Sequence, residues 1–261
     1  MSRNQKMNRA LIEGLEGRRM LAGHAMAVAP TMDSSGVVHV VGTEKRDVIV
    51  FSVNEDHSKL LVTVNKQTTE FMLADVKGAD VDAKGGSDSV KVMSDGFFGG
   101  PITVHGGAGN DVIVGTKGDD SLDGGNGNDK ISGGDGNDSL SGGKGNDKLD
   151  GGNGNDSMEG AAGNDKMMGM AGNDMMVGGA GNDRMVGGEG DDKLDGGGGN
   201  DDVNGGVGTD DVTGGGGRDR FHNEDDSMEH KDKHKNDKLV DDDKDKDESE
   251  DDDGVPEVKP T

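Results

Sequence analysis

The chain has 261 residues, a formal net charge of −25, 28% hydrophobic and 2% aromatic content, and no cysteine. These values exclude an ordinary globular core and any disulfide or thiolate metal site. The acidic balance also argues against a nucleic-acid binder, which needs Lys or Arg patches for phosphate. No stretch approaches the apolar length of a membrane span.

In chain order, residues 1–35 read as an export- or targeting-like segment, largely disordered. Lys6, Arg9, Arg18 and Arg19 precede a mildly apolar run, Met20 to Ala29, with Ala-x-Ala sites at Ala25/Ala27 and Ala27/Ala29. Residues 36–105 read as a β-rich N-terminal cap on the segment beginning at Gly106, with a separate small β-domain as the alternative. Its candidate strands are Val37–Val41, Val48–Val53, Leu60–Val64, Phe71–Leu73, Val90–Met93 and Ile102–Val104, short and rich in Val and Thr. Two stretches look like decayed copies of a nonapeptide. One, from Gly42, keeps Asp47 and Ile49 in phase, and the other, from Ala83, keeps Gly86, Asp88 and Val90.

Residues 106–222 repeat every nine residues, thirteen times, with no insertion or deletion. Positions one and four are Gly in every unit and position six is always Asp. Position eight is always apolar, from Ile113 through Leu149 and Met176 to Phe221. Gly-Gly-x-Gly enters positive-φ backbone readily, and Asn at position five tolerates it, so the first six residues read as a tight turn. The last three alternate polar, apolar and polar, as in Lys130-Ile131-Ser132, the mark of a short strand. Three strand residues cannot stand alone. Stacked copies can, with two units to a coil, which predicts an all-β, right-handed parallel β-roll whose position-eight side chains meet in a thin core.

So thin a core buries little apolar surface for the backbone it orders. Stacking also brings Asp111 near Asp129 and Asp129 near Asp147, and bare carboxylates would repel. A hard divalent cation reverses that sign. Calcium takes six to eight oxygen ligands, and carboxylates from two turns with glycine-turn carbonyls meet that demand. Thirteen units allow at most about eleven such pairs.

The pattern Gly-Gly-x-Gly-x-Asp-x-apolar-x resembles the hemolysin-type, or RTX, calcium-binding repeats. The resemblance implies a bacterial secreted or cell-surface protein that folds when it meets calcium outside the cell. It implies as ligands Asp111, Asp120, Asp129, Asp138, Asp147, Asp156, Asp165, Asp174, Asp183, Asp192, Asp201, Asp210 and Asp219. Thr116, Ala161 and Met170 depart from it at position two, and Arg218 and Arg220 place positive charge beside Asp219. Leu15-Glu16-Gly17-Arg18-Arg19-Met20-Leu21 also resembles a short motif that opens many bacterial surface proteins with such repeats.

Residues 223–261 read as a disordered acidic tail. Asp243, Asp245 and Asp247 mimic an EF-hand opening, but Glu248 stands where Gly is required. His230 and His234 read as solvated. No His-Glu-x-x-His, Gly-x-Ser-x-Gly or Walker pattern occurs, so no enzyme is expected. The expected function is calcium binding in a structural protein. A calcium-dependent adhesion or surface-coat module and a flexible acidic spacer are the alternatives. Beyond calcium, expected partners are cell-surface polymers or the chain itself, with neither nucleic acid nor membrane span. Outward Met168, Met175, Val177 and Val186, with Met170 in a turn, are a candidate contact patch.

Overall fold

A nonapeptide that buries one side chain can satisfy its backbone only against copies of itself, and the chain does so in two sheets. The structure is a computed structural model describing residues 27–93, 100–223, 229–232 and 238–241. It is an all-β solenoid of about seven turns over the repeats, with successive units alternating between the sheets.

The strands before the repeats are β1 (Val28–Met32), β2 (Val37–Val41), β3 (Val48–Val53), β4 (Lys59–Val64), β5 (Gln67–Met72), β6 (Gly78–Asp82) and β7 (Ser89–Val92). β8 (Ile102–Ala108) leads into the repeats, which supply β9 (Val112–Val114), β10 (Ser121–Asn126), β11 (Lys130–Asp135), β12 (Ser139–Lys144), β13 (Lys148–Asn153), β14 (Ser157–Ala162) and β15 (Lys166–Ala171). They continue through β16 (Met175–Ala180), β17 (Arg184–Glu189), β18 (Lys193–Gly199), β19 (Asp202–Val207), β20 (Asp211–Thr213), β21 (Gly216–Gly217) and β22 (Arg220–Asn223). Two further strands lie beyond the repeats, β23 (Glu229–Asp232) and β24 (Lys238–Asp241).

Sheet A runs β1-β2-β6-β8-β10-β12-β14-β16-β18-β20-β23, with β21 beside β18, and sheet B runs β24-β22-β19-β17-β15-β13-β11-β9-β7-β3-β4-β5. Pairing between repeat strands is parallel and in register at a step of eighteen residues. Leu122 lies beside Leu140 in sheet A and Ile131 beside Leu149 in sheet B.

The repeat divides differently from the expectation of six turn residues and three strand residues. Strands such as β10 and β13 are six residues long and carry the glycines of positions one and two inside them. The turn shrinks to positions four to six. Position one is buried against its neighbours, and a side chain there would break the pairing. Where Thr116 replaces the second Gly, strand β9 stops after three residues.

The core is a single file. Ile113, Leu122, Ile131, Leu140, Leu149, Met158, Met167, Met176, Met185, Leu194, Val203, Val212 and Phe221 are all buried. The file continues toward the N-terminus through Val104, Val90, Val81, Ile49 and Val40 in the same cluster. Strands β2 and β6 lengthen sheet A, β3 and β7 lengthen sheet B, and the antiparallel β3-β4-β5 meander closes that edge.

Some details differ from the sequence expectations. Strand β5 spans Gln67–Met72, and Leu73–Asp75 form a 3-10 turn. Strand β6 was not expected, since Gly78-Ala79-Asp80 is poor in β-formers. It forms because Ala79 and Val81 alternate inward between β2 and β8. Strand β1 falls in the expected export-like segment and contains Pro30. Proline is tolerated there because β1 is the outermost strand of its sheet. The rest of that segment, residues 1–26, lies outside the described residues.

Two pieces of the expected disordered tail are paired. β23 lies along β20, and β24 along β22 with Leu239 beside Phe221. An open parallel edge offers unpaired N–H and C=O groups to any later strand, and Leu239 falls eighteen residues after Phe221, in phase with the core. Residues 224–228, 233–237 and 242–261 lie outside the described residues.

Because Leu149 is fully buried in this file, Leu149→Ala should destabilise the folded roll by about 2–5 kcal/mol. Leu149→Met should cost less than about 1.5 kcal/mol, since Met158 to Met185 already fill the same slot. Urea unfolding followed by circular dichroism checks this; equal effects of the two variants would contradict it.

Candidate metal centre

The turn residues at positions four to six of each unit aim the position-six aspartate into the stack. From Asp111 to Asp219 all thirteen are buried, at 1–3% exposure. In each, one oxygen has a backbone partner. The N–H of Asp111 donates to Asp129 Oδ1 at 2.7 Å, Asp129 to Asp147 at 2.7 Å, and Asp147 to Asp165 at 2.7 Å. The series runs on through Asp183 and Asp201 to Asp219. The second edge carries the matching series Asp120, Asp138, Asp156, Asp174, Asp192 and Asp210. The structure thus brings the thirteen residues together as two ladders, one per edge, with six and five rungs among them.

The other oxygen is different. Oδ2 of Asp111, Asp129, Asp138, Asp147, Asp156, Asp165, Asp174, Asp183, Asp192 and Asp201 is buried with no hydrogen-bond partner. A buried ionised oxygen without a donor is costly, and ten in register call for a common cause. Each sits against a position-one glycine: a Cβ on Gly142 would come within 2.5 Å of Asp147 Oδ2. Glycine at position four brings backbone equally close, since a Cβ on Gly145 would collide with the Gly127 carbonyl one coil earlier. Absent side chains thus leave carboxylate and carbonyl oxygens together along each edge. An outer ladder braces the turns, with the N–H groups of Asn128 and Asn146 donating to the Oδ1 atoms of Asn110 and Asn128 at 2.7 and 2.6 Å.

Electrostatics follows the burial. Desolvation, reinforced by the neighbouring rungs and opposed by the backbone bond, pushes Asp129, Asp138 and Asp192 up to about 7. Asp156, Asp165 and Asp201 rise to about 6 for the same reasons. Burial also raises Asp111, Asp120, Asp147, Asp174 and Asp183, against their backbone bonds. Without a cation, the ladder holds its protons well above the usual carboxylate range.

Sequence reasoning left two rungs out of the site. The N–H of Asp47 donates to Asp88 Oδ1 at 2.6 Å, and that of Asp88 to Asp111 Oδ1 at 2.7 Å. Both fall in the decayed copies, where the Asp phase was visible but two insertions had broken the nine-residue count. The ladders also begin alike. Thr43 N–H and Oγ1 donate to Asp47 Oδ2 at 2.5 and 3.0 Å, while Thr116 N–H reaches Asp120 Oδ2 at 2.5 Å and its hydroxyl holds both oxygens of that carboxylate. In each first rung a Gly-Thr turn therefore supplies donors to Oδ2, while Oδ1 accepts from Asn65 Nδ2 at Asp47 and from the Ile102 N–H at Asp120.

The model of the RTX calcium-binding nonapeptide repeat matches residues 105–140, 132–167, 159–194, 168–203 and 186–221, which together span the thirteen repeat aspartates and their position-eight residues. The repeat segment belongs to the RTX calcium-binding nonapeptide repeats. No curated protein matches the chain. The repeat and its aspartate pattern are those of a calcium-binding module, and the RTX repeat family is structural rather than catalytic. The donor set fits a hard cation, which takes oxygen ligands from carboxylates and backbone carbonyls in flexible geometry. Among the described residues no three His, Asp or Glu side chains converge on one point. An ion in the RTX turns would therefore draw on glycine carbonyls beside one or two carboxylates.

The expected apolar patch does not form a single surface. Met175 and Val177 lie on sheet A, whereas Met168, Met170 and Val186 lie on sheet B. Among the described residues no helix is long and apolar enough to cross a membrane.

The raised carboxylates predict a pH response in a chelator. Unfolded Asp titrates near ~3.9, so between roughly pH 4 and 7 the folded RTX roll binds more protons than the unfolded chain. Stability from these groups is then fully present below about pH 4 and falls as pH rises through 7. Far-ultraviolet circular dichroism in EDTA should show β signal growing on acidification across that window. A signal that is flat or weakens with acid would contradict the ladder.

Proposed function

We propose that the RTX segment binds calcium through its position-six aspartates, that loading folds the roll, and that the protein is a secreted or cell-surface structural protein. The observation that carries this reading is the file of buried, unpartnered Oδ2 atoms opposite side-chain-free glycine backbone. Bound calcium supplies the positive charge that those oxygens lack.

The chain's own parts divide the work. Oδ1 ties each turn to the preceding coil and fixes the carboxylate plane. Oδ2 is left as the donor, and glycine at positions one and four keeps carbonyls within reach. Asp129, Asp138, Asp147, Asp156, Asp165, Asp174, Asp183, Asp192 and Asp201 are the principal ligands, joined by Asp111, Asp210 and Asp219 along the same two edges. Asp120 contributes least, because Thr116 already donates to its Oδ2. The number of ions is accordingly below the eleven rungs that link the thirteen aspartates. A solvated acidic spacer has no use for thirteen buried apolar side chains, and that reading is set aside. Location outside the cell rests on the company RTX repeats keep and on millimolar extracellular calcium suiting weak, multiple sites.

Calcium titration followed by far-ultraviolet circular dichroism, with magnesium as the control, tests the reading. β signal should rise cooperatively with calcium and not with equal magnesium, while signal that ignores calcium would overturn the proposal. Asp147→Asn keeps an Oδ1 acceptor but removes the anionic donor, and should weaken apparent calcium affinity roughly tenfold, about 1.4 kcal/mol. Asp120→Asn should change it little, as the threonine-capped rung.

A further inference from the structure

Close packing of the coils makes position four of each unit a glycine. At Gly127, φ is 138° and a Cβ would come within 1.5 Å of the Gly109 carbonyl oxygen. At Gly154, φ is 131° and a Cβ would meet the Gly136 carbonyl oxygen at 1.9 Å. The residue at position three is therefore always followed by glycine. Position three itself is exposed and varied, as Lys144, Ala162 and Glu189 show. Wherever asparagine stands there, the fold creates an Asn-Gly pair. That happens at Asn126 and Asn153, and a third pair, Asn204-Gly205, runs from position nine into position one inside β19.

In an Asn-Gly pair the side-chain amide is open to attack by the next backbone nitrogen, because glycine has no Cβ to obstruct the approach. The glycine nitrogen loses its proton and bonds to the asparagine Cγ, the bond from Cγ to Nδ2 breaks, and ammonia leaves. Water then opens the five-membered imide at either carbonyl, giving aspartate or isoaspartate. One water enters for each ammonia released. In the folded roll the same nitrogens are engaged. Gly127 N–H donates to the Lys144 carbonyl one coil ahead at 2.6 Å, and Gly154 N–H to the Ala171 carbonyl at 2.8 Å. Asn126 and Asn153 end strands β10 and β13, where extended backbone does not fold the nitrogen onto Cγ. Asn153 is held further, its Nδ2 donating to Asp135 Oδ1 at 2.8 Å.

We propose that Asn126 and Asn153, with Asn204, are sites of self-deamidation that the folded roll protects and the unfolded chain exposes. The trigger rests on the calcium reading above: where calcium drives folding, conversion records how long the chain has stood without it. The damage falls on the metal turns. Isoaspartate carries the chain through its Cβ, adding one backbone atom between positions three and four. At Asn126 that lengthens the turn that aims Asp129, and at Asn153 the turn that aims Asp156, one on each ladder. Aspartate at position 153 instead sets a second carboxylate where the amide now donates to Asp135. A converted chain thus loses a well-formed turn on each edge.

Peptide mass spectrometry of the full chain tests it, after ageing in warm, mildly alkaline buffer with calcium, with EDTA or with guanidinium. Circular dichroism of each sample reports separately whether the roll is folded. Asn126 and Asn153 should convert at least roughly tenfold faster in guanidinium and in EDTA than with calcium, because reaction through opening follows the open population. They should also outrun Asn128 and Asn155, which are followed by aspartate. Wild-type chain aged in EDTA should recover less β signal when calcium is added. The variant Asn126→Ala, Asn153→Ala, Asn204→Ser should recover it in full, since other units carry Ala162 and Ser132 at those positions. Equal conversion in folded and guanidinium-unfolded samples would overturn the inference, as would asparagine that stays unconverted in guanidinium. Strong β signal with slow conversion in EDTA would uphold protection by the roll and count against calcium as the trigger.

Discussion

The bond from each aspartate N–H to the Oδ1 of the aspartate one coil ahead is the interaction on which the rest depends. It uses a turn's own backbone donor, so every turn is tied to its neighbour through a side chain as well as through strand pairing. It also orients the carboxylate, burying the second oxygen against glycine. The unpartnered second oxygen, the raised proton affinities and the intolerance of side chains at position one all stem from that single orientation. A longer acid would place its oxygens elsewhere, and an amide would remove the charge.

Much of this was legible in the sequence because a strict period is a strong constraint. Apolar residues in phase from Ile113 to Phe221 could mean only a file of inward side chains, and the eighteen-residue step paired Asp111 with Asp129. What was not legible lay where the period is interrupted. Asp47 and Asp88 stand on the same ladder as Asp111, but the β4-β5 meander and extra residues ahead of β8 stretch the steps to 41 and 23 residues. The apolar cluster was misjudged for the opposite reason: residues close in sequence alternate between sheets, so Met168 and Met175 face away from each other. Strands β1 and β24 were hidden because their pairing comes from the open edges of the stack rather than from their own composition.

Threonine gives the ladders a beginning. At Thr43 and Thr116 a hydroxyl and an amide supply the donors that interior rungs lack, at the one place in each ladder where no earlier coil offers an aspartate N–H. The first rungs thereby have protein donors for the oxygen that the interior rungs leave without a hydrogen-bond partner. Under the proposed function, calcium would take at the interior rungs the place that threonine donors hold at the first.

Alternation of units between two sheets sets a rule for how such a chain can change length. Gain or loss of eighteen residues inserts or removes a whole coil and leaves every later strand on its original face. Gain or loss of nine keeps the core file and both ladders continuous, yet sends each later strand to the opposite sheet. A single-unit change ahead of Lys130 would carry Lys130, Lys148 and Lys166, which lie side by side on sheet B, to the other side of the rod while the core file stays continuous. The roll is therefore indifferent to unit number in its interior, while its exterior registers whether that number is odd or even.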